Sequence, residues 1–88
     1  MTKNDSLIEF PTDFPLKIIG KPENNFQENI LEIVKRHDES FDPIDAEMRF
    51  SKSNQYISIT CTIKANSKRQ LDALYHELSK FPQAIMVF

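Results

Sequence analysis

Tyr56-Ile57-Ser58-Ile59-Thr60-Cys61-Thr62-Ile63-Lys64-Ala65 is the most regular stretch of the chain. Ile57, Ile59, Cys61, Ile63 and Ala65 alternate with Ser58, Thr60, Thr62 and Lys64, and β-branched residues dominate. A period of two sends one set to each face of a sheet, so the segment predicts a strand with one packed and one hydroxyl-lined face. Upstream, Ile44, Ala46, Met48 and Phe50 alternate with Asp45, Glu47, Arg49 and Ser51, predicting a half-buried strand over 44–50. The polar run Lys52-Ser53-Asn54-Gln55 lies between them, and Asn54 is the residue there best suited to a left-handed turn. A hairpin follows.

Working outward, Ser67 and Gln70 have the spacing of a capping box, and Leu71, Leu74, Tyr75 and Leu78 form one helical stripe. Phe81 and Pro82 end that helix, and 84–88 is a short apolar strand. Toward the N-terminus, Asn24 and Asn25 are suited to cap a helix over 26–37, whose stripe is Phe26, Ile30, Ile33, Val34 and His37. Glu28 in its first turn and Lys35 and Arg36 in its last suit the helix dipole. The run 16–19, closed by Gly20 and Pro22, predicts a brief first strand. Residues 1–13, polar and punctuated by Pro11, with Pro15 close behind, read as an extended N-terminal arm before a domain over 14–88.

The order is βαββαβ, an α+β ferredoxin-like sandwich. Two crossovers joined by a hairpin put the first and third strands in the centre of a four-stranded antiparallel sheet with two helices on one face. The other face stays open, with Ser58, Thr60, Thr62 and Lys64 beside Asp45, Glu47 and Arg49.

A chain of 88 residues supports one core. With 40% hydrophobic and 27% charged residues it lies far from the disordered regime. A lone cysteine, Cys61, forms no internal disulfide, and no run is apolar enough for a signal peptide or membrane span, so a cytoplasmic location is expected. The net charge of −2, with basic residues scattered among acidic ones, disfavours nucleic acid as a partner.

Glu9-Phe10-Pro11 with Phe14, then Lys17-Ile18-Ile19-Gly20, resembles the opening of the small bacterial YbeD-like proteins. His37, Ser51, Tyr56, Ser58, Leu74-Tyr75 and Met86-Val87 are similar to the remaining landmarks of that family, with Asn54 standing where a hairpin glycine is usual. The resemblance implies a fold like that of ACT-type regulatory domains, which bind small metabolites across paired sheets. It carries over no reaction and no ligand.

The residue demands of other activities on this fold go unmet. The loop 20–25 has no cysteine for a metal carrier, and no metal or cofactor is expected. Strand three exposes hydroxyls rather than the aromatic platforms that stack RNA bases. The same loop offers Lys21 beside Glu23, not an arginine-bearing phosphate cradle. His37 is a candidate general base or pH-sensitive contact, against the simpler reading of a cation favoured at a helix C-terminus. His76 falls off its helical stripe and is expected in solvent, and Cys61 is expected inward and inert. Ser51, Tyr56 and Ser58 gather at the hairpin end, where binding competes with turn hydrogen bonding. Lys17, on a central strand, must snorkel or meet an acid such as Asp45 or Glu47. Together these predict a non-enzymatic regulatory or binding module for a small molecule or protein. The alternatives are a small enzyme using His37 or Lys17, or a protein-interaction module only. A weak homodimer through a sheet edge or the open face is also expected, with strand four the favoured contact.

Overall fold

In the computed structural model, which describes residues 9–88, the chain runs β1 (Thr12–Gly20), α1 (Phe26–His37), a 3-10 turn (Pro43–Asp45), β2 (Glu47–Phe50), β3 (Ile57–Ala65), α2 (Lys68–Ser79) and β4 (Ala84–Val87). The strands form one antiparallel sheet in the order β2-β3-β1-β4, and the two helices pack on each other and over one face of it. This is the ferredoxin-like α+β sandwich that the alternation and stripes imply. Residues 1–8 of the arm lie outside the described residues.

The core forms where both periodicities point. Ile57, Ile59, Cys61, Ile63 and Ala65 of β3 are buried with Leu16 and Ile18 of β1, Phe26, Ile30, Ile33 and Val34 of α1, and Leu71, Leu74 and Leu78 of α2. Each large apolar side chain so buried stabilises by roughly 1.5–3 kcal/mol. An exposed helical pair such as Lys68–Asp72, at 3.0 Å, supplies only about 0.3–0.5 kcal/mol, so the apolar core carries the fold.

Three local expectations need correction. The first strand starts at Thr12, four residues before the apolar run, and contains Pro15 opposite Thr62. Lys17 exchanges both backbone bonds with Phe88, so odd-numbered residues of β1 aim their amides toward β4. Pro15 aims the same way but past the last paired residue of β4, where the missing N–H breaks no ladder bond.

The second strand is shorter than 44–50, and its apolar side is not buried. The Asp42 carboxylate accepts from Ile44 N at 3.1 Å and Pro43 opens a 3-10 turn, which takes Ile44 and Asp45 out of the sheet. Every residue of Glu47–Phe50 is exposed, because the helical layer stops short of this edge. Finally, Asn24 and Asn25 do not cap α1 with their side chains. Both are left-handed, with φ of 56° and 60°, and they turn the chain sharply from β1 into the helix. Ser67 does cap α2, accepting from Gln70 N at 3.1 Å.

A hollow at the hairpin end of the open sheet face

Cross-strand register decides which side chains share a face. Lys17 stands opposite Thr60, which stands opposite Glu47; one row on, Ile19, Ser58 and Arg49 line up across β1, β3 and β2. These rows lie on the side away from the helices, since the intervening Ile18, Ile57 and Ile59 are buried beneath the helices. Met86 faces Ile19 from β4, and Phe88 faces Lys17. The open face is thus polar over β3 and apolar toward β4.

At its hairpin end lies a shallow hollow of about 260 Å³. Its rim carries the polar residues Lys17, Arg49, Ser51, Tyr56 and Ser58 beside Ile19, and Phe50 and Ile57, whose side chains lie on the helix side of the sheet, complete the lining. Four of the five residues singled out in the sequence therefore meet in one place. Tyr56 also borders a second depression, formed with Lys21, Pro22, Glu23, Asn54 and Gln55 between the β1–α1 loop and the hairpin.

Ser51 is first a turn residue. Its Oγ accepts from Gln55 N and Tyr56 N, each at 3.1 Å, and its own N–H donates to Tyr56 O at 2.9 Å. With both lone pairs engaged, its hydroxyl proton remains available to an acceptor in the hollow. Asn54 closes the same turn at φ 59°. Of the two alternatives for Lys17, the acid partner is not found: Glu47 shares its row but with Thr60 between, two strand spacings or about 10 Å away, and Asp45 sits in the 3-10 turn. Among the described residues neither Lys17 nor Arg49 has an ion-pair partner.

Arg49 is the rim residue that the sequence reading did not single out. Its alternation put it on the open face, but only the pairing of Arg49 with Ser58 and Ile19 sets it on the border of the hollow that Lys17 also lines.

His37 lies elsewhere, on the helical layer. Its Nε2 is 2.7 Å from Glu77 Oε1, and Arg36 holds the other carboxylate oxygen, so α1 and α2 are tied through one acid. The hydrogen bond to His37, then that to Arg36, draws the Glu77 carboxyl below its ordinary range. Cys61 is fully buried among apolar neighbours, which pushes its thiol up to about 11 and leaves it protonated at neutral pH. His76 is exposed. Among the described residues no three His, Cys, Asp or Glu side chains gather as metal ligands, and no helix is long and apolar enough to cross a membrane.

Residues 5–88 match the family described as "Protein of unknown function (DUF493)". The chain belongs to that family. The UPF0250 protein of Nitrosomonas europaea is 46% identical over 83 residues, covering 94% of this chain and 95% of the relative. That of Bordetella pertussis is 43% identical over 83 residues, covering 94% and 91%. DUF493 and UPF0250 proteins are the YbeD-like group that the leader and hairpin landmarks resemble. Among solved structures, the solution structure of protein HP0495 from H. pylori superposes with a TM-score of 0.74 at 12% identity, over 92% of this chain and 85% of that one. The ACT domain of a GTP pyrophosphokinase from Chlorobium tepidum gives 0.61 at 20% identity, over 88% and 97%. At such identities these two establish the shared ACT-like fold of this DUF493 chain.

Proposed function

We propose that this chain is a non-catalytic binding module of regulatory type, which takes a small anionic molecule in the hollow at the hairpin end of its open sheet face. The observation that carries this reading is the pairing of two cations, Lys17 and Arg49, with the hydroxyls of Ser51, Tyr56 and Ser58 around one concavity. Arginine offers a fork of donors to a carboxylate or phosphate, lysine a movable point charge, and the hydroxyls complete an acceptor-binding rim. The ACT-like fold supports a regulatory role, because the fold builds an accessible sheet face without requiring reactive groups. An enzyme using His37 or Lys17 is less well supported. The first is engaged by Glu77 in the helical layer and the second lies on the opposite side of the sheet, so they form no joint acid–base set.

Thermal unfolding in a panel of small carboxylates and phosphate esters at fixed ionic strength, with neutral analogues alongside, tests the proposal. A ligand at a hundred times its Kd adds about 2.7 kcal/mol and raises the midpoint of a domain this size by on the order of 10 °C. Lys17→Met and Arg49→Met are each expected to weaken binding about tenfold or more, the worth of one charge-assisted hydrogen bond. Equal stabilisation by neutral analogues, or binding indifferent to both substitutions, sinks the reading. Consumption of the ligand would transfer the case to the enzyme.

A further inference from the structure

The β2 edge combines exposed apolar side chains with a short charge pattern that the fold leaves unused. Met48 and Phe50 are 41% and 54% exposed, although they lie on the helix side of the sheet, because no helix covers this strand. Beside them Ile44 is 84% exposed. Ser51 N donates to Tyr56 O, so the odd-numbered residues of β2 direct their backbone groups toward β3. By alternation Met48 and Phe50 direct theirs outward, into an unpaired edge.

We propose that this edge receives β2 of a second copy of the chain, antiparallel about a two-fold axis at Met48. Symmetry leaves few registers, because residues facing each other must come from the same side of the pleat. An axis at Glu47 sets Glu47 against its own copy, and an axis at Arg49 sets Arg49 against its own. Only the axis at Met48 pairs opposite charges: Glu47 faces Arg49 of the second copy, and Arg49 faces its Glu47. In that register Met48 exchanges both backbone bonds with its counterpart, and Phe50 N–H reaches the Ala46 carbonyl of the second copy. Met48 packs on Met48, and Phe50 beside Ala46, on the uncovered helix side. The like-charge conflict that argues against pairing β2 thus disappears in this one register. Strand β4, the other edge, carries no charged residue to select a register. The seam is small, so the dimer is weak and concentration-dependent.

The proposal does not depend on the anion hollow, and its test contains no ligand. Sedimentation velocity from micromolar to near-millimolar protein at low salt is expected to show a monomer giving way to a dimer. Glu47→Arg and Arg49→Glu each place like charges across the seam and are expected to weaken association at least tenfold. Combining them, Glu47→Arg/Arg49→Glu, restores the opposition with signs exchanged and is expected to recover it. Circular dichroism establishes that each variant is folded, and recovery by the double variant separates a charge contact from damage to the strand. A strict monomer at near-millimolar concentration overturns the proposal and assigns the edge to a different partner. A dimer indifferent to the charge exchange overturns it as well, and moves the contact to β4 or the open face.

Discussion

Gly20 is the chain's only glycine, and what it needs is room rather than backbone freedom. A Cβ added there would run into the Phe26 ring and would stand 2.6 Å from the Gln83 carbonyl oxygen. Neither neighbour yields cheaply: Phe26 is fully buried, and Gln83 O accepts the Lys21 amide at 3.2 Å. Gly20→Ala is therefore expected to destabilise by about 1–3 kcal/mol through overpacking, even though alanine suits a strand better. Chemical denaturation reads this directly; a variant as stable as the wild type would show that the β1–α1 junction relaxes. Residue-level reading of the sequence did well where one physical demand acts alone. Cys61 falls inward with the rest of its alternation, and Asn54 takes the left-handed turn position. It did less well with Asn25, where capping and left-handed turning draw on the same residue type, and the tight entry from Gly20 selects the second.

Between elements, the junction of α1 and α2 is electrostatic on its outer side, where Glu77 receives both Arg36 and His37. Its carboxyl lies below the ordinary range in the folded chain, so the folded state binds that proton less readily than the unfolded one. Stability from this group is therefore complete above the unfolded pKa and declines as pH falls through the lower, folded value. Denaturation midpoints measured from neutral pH downward should fall below about pH 5, and Glu77→Gln should start lower at neutral pH and fall less steeply. Parallel curves for the two proteins would show that Glu77 is not the titrating contact. At this scale the sequence was legible in α1, α2 and β3, whose stripes and alternation coincide with burial. The ends of β1 and β2 were not. Pro15 is tolerated because its neighbouring ladder stops short, and Ile44 leaves the sheet because Asp42 captures its amide. Both depend on contacts made by distant or adjacent polar atoms that periodicity does not register. The hollow divides in the same way: hairpin residues gather by proximity in sequence, whereas Lys17 and Arg49 come to border one hollow only through the three-strand register.

Taken as a whole, the molecule has strands of unequal length, since β2 pairs with β3 only from Ile57 to Thr60 while β3 continues to Ala65. The far half of β3 thus presents amides on its outer side. Asp38, just past the end of α1, fills that place: its carboxylate accepts from Lys64 N at 2.8 Å while Ser40 donates to it from both Oγ and N. Burial pushes the Asp38 carboxyl up, but the bonds from Ser40 and Lys64 and the charge of Lys35 outweigh it and leave the group below its ordinary range. Loss of this contact in Asp38→Ala orphans a strand amide and is expected to cost about 1–3 kcal/mol. The larger consequence lies outside the single molecule. An ionised side chain seated on a strand's outer amide is a stopper, because an incoming strand would have to displace it and strip its charge of partners. Asp38→Ala should then grow fibrillar, thioflavin-positive aggregates under mild heating while the wild type stays in solution, and Asp38→Asn, which keeps an acceptor at the amide, should fall between them. Aggregation of Asp38→Ala no faster than that of an equally destabilised core variant would reduce the stopper to an ordinary hydrogen bond. On this account the β2 side of the sheet has two kinds of exposed edge, the unpaired backbone of β2 itself and the far half of β3, which a carboxylate closes against an incoming strand.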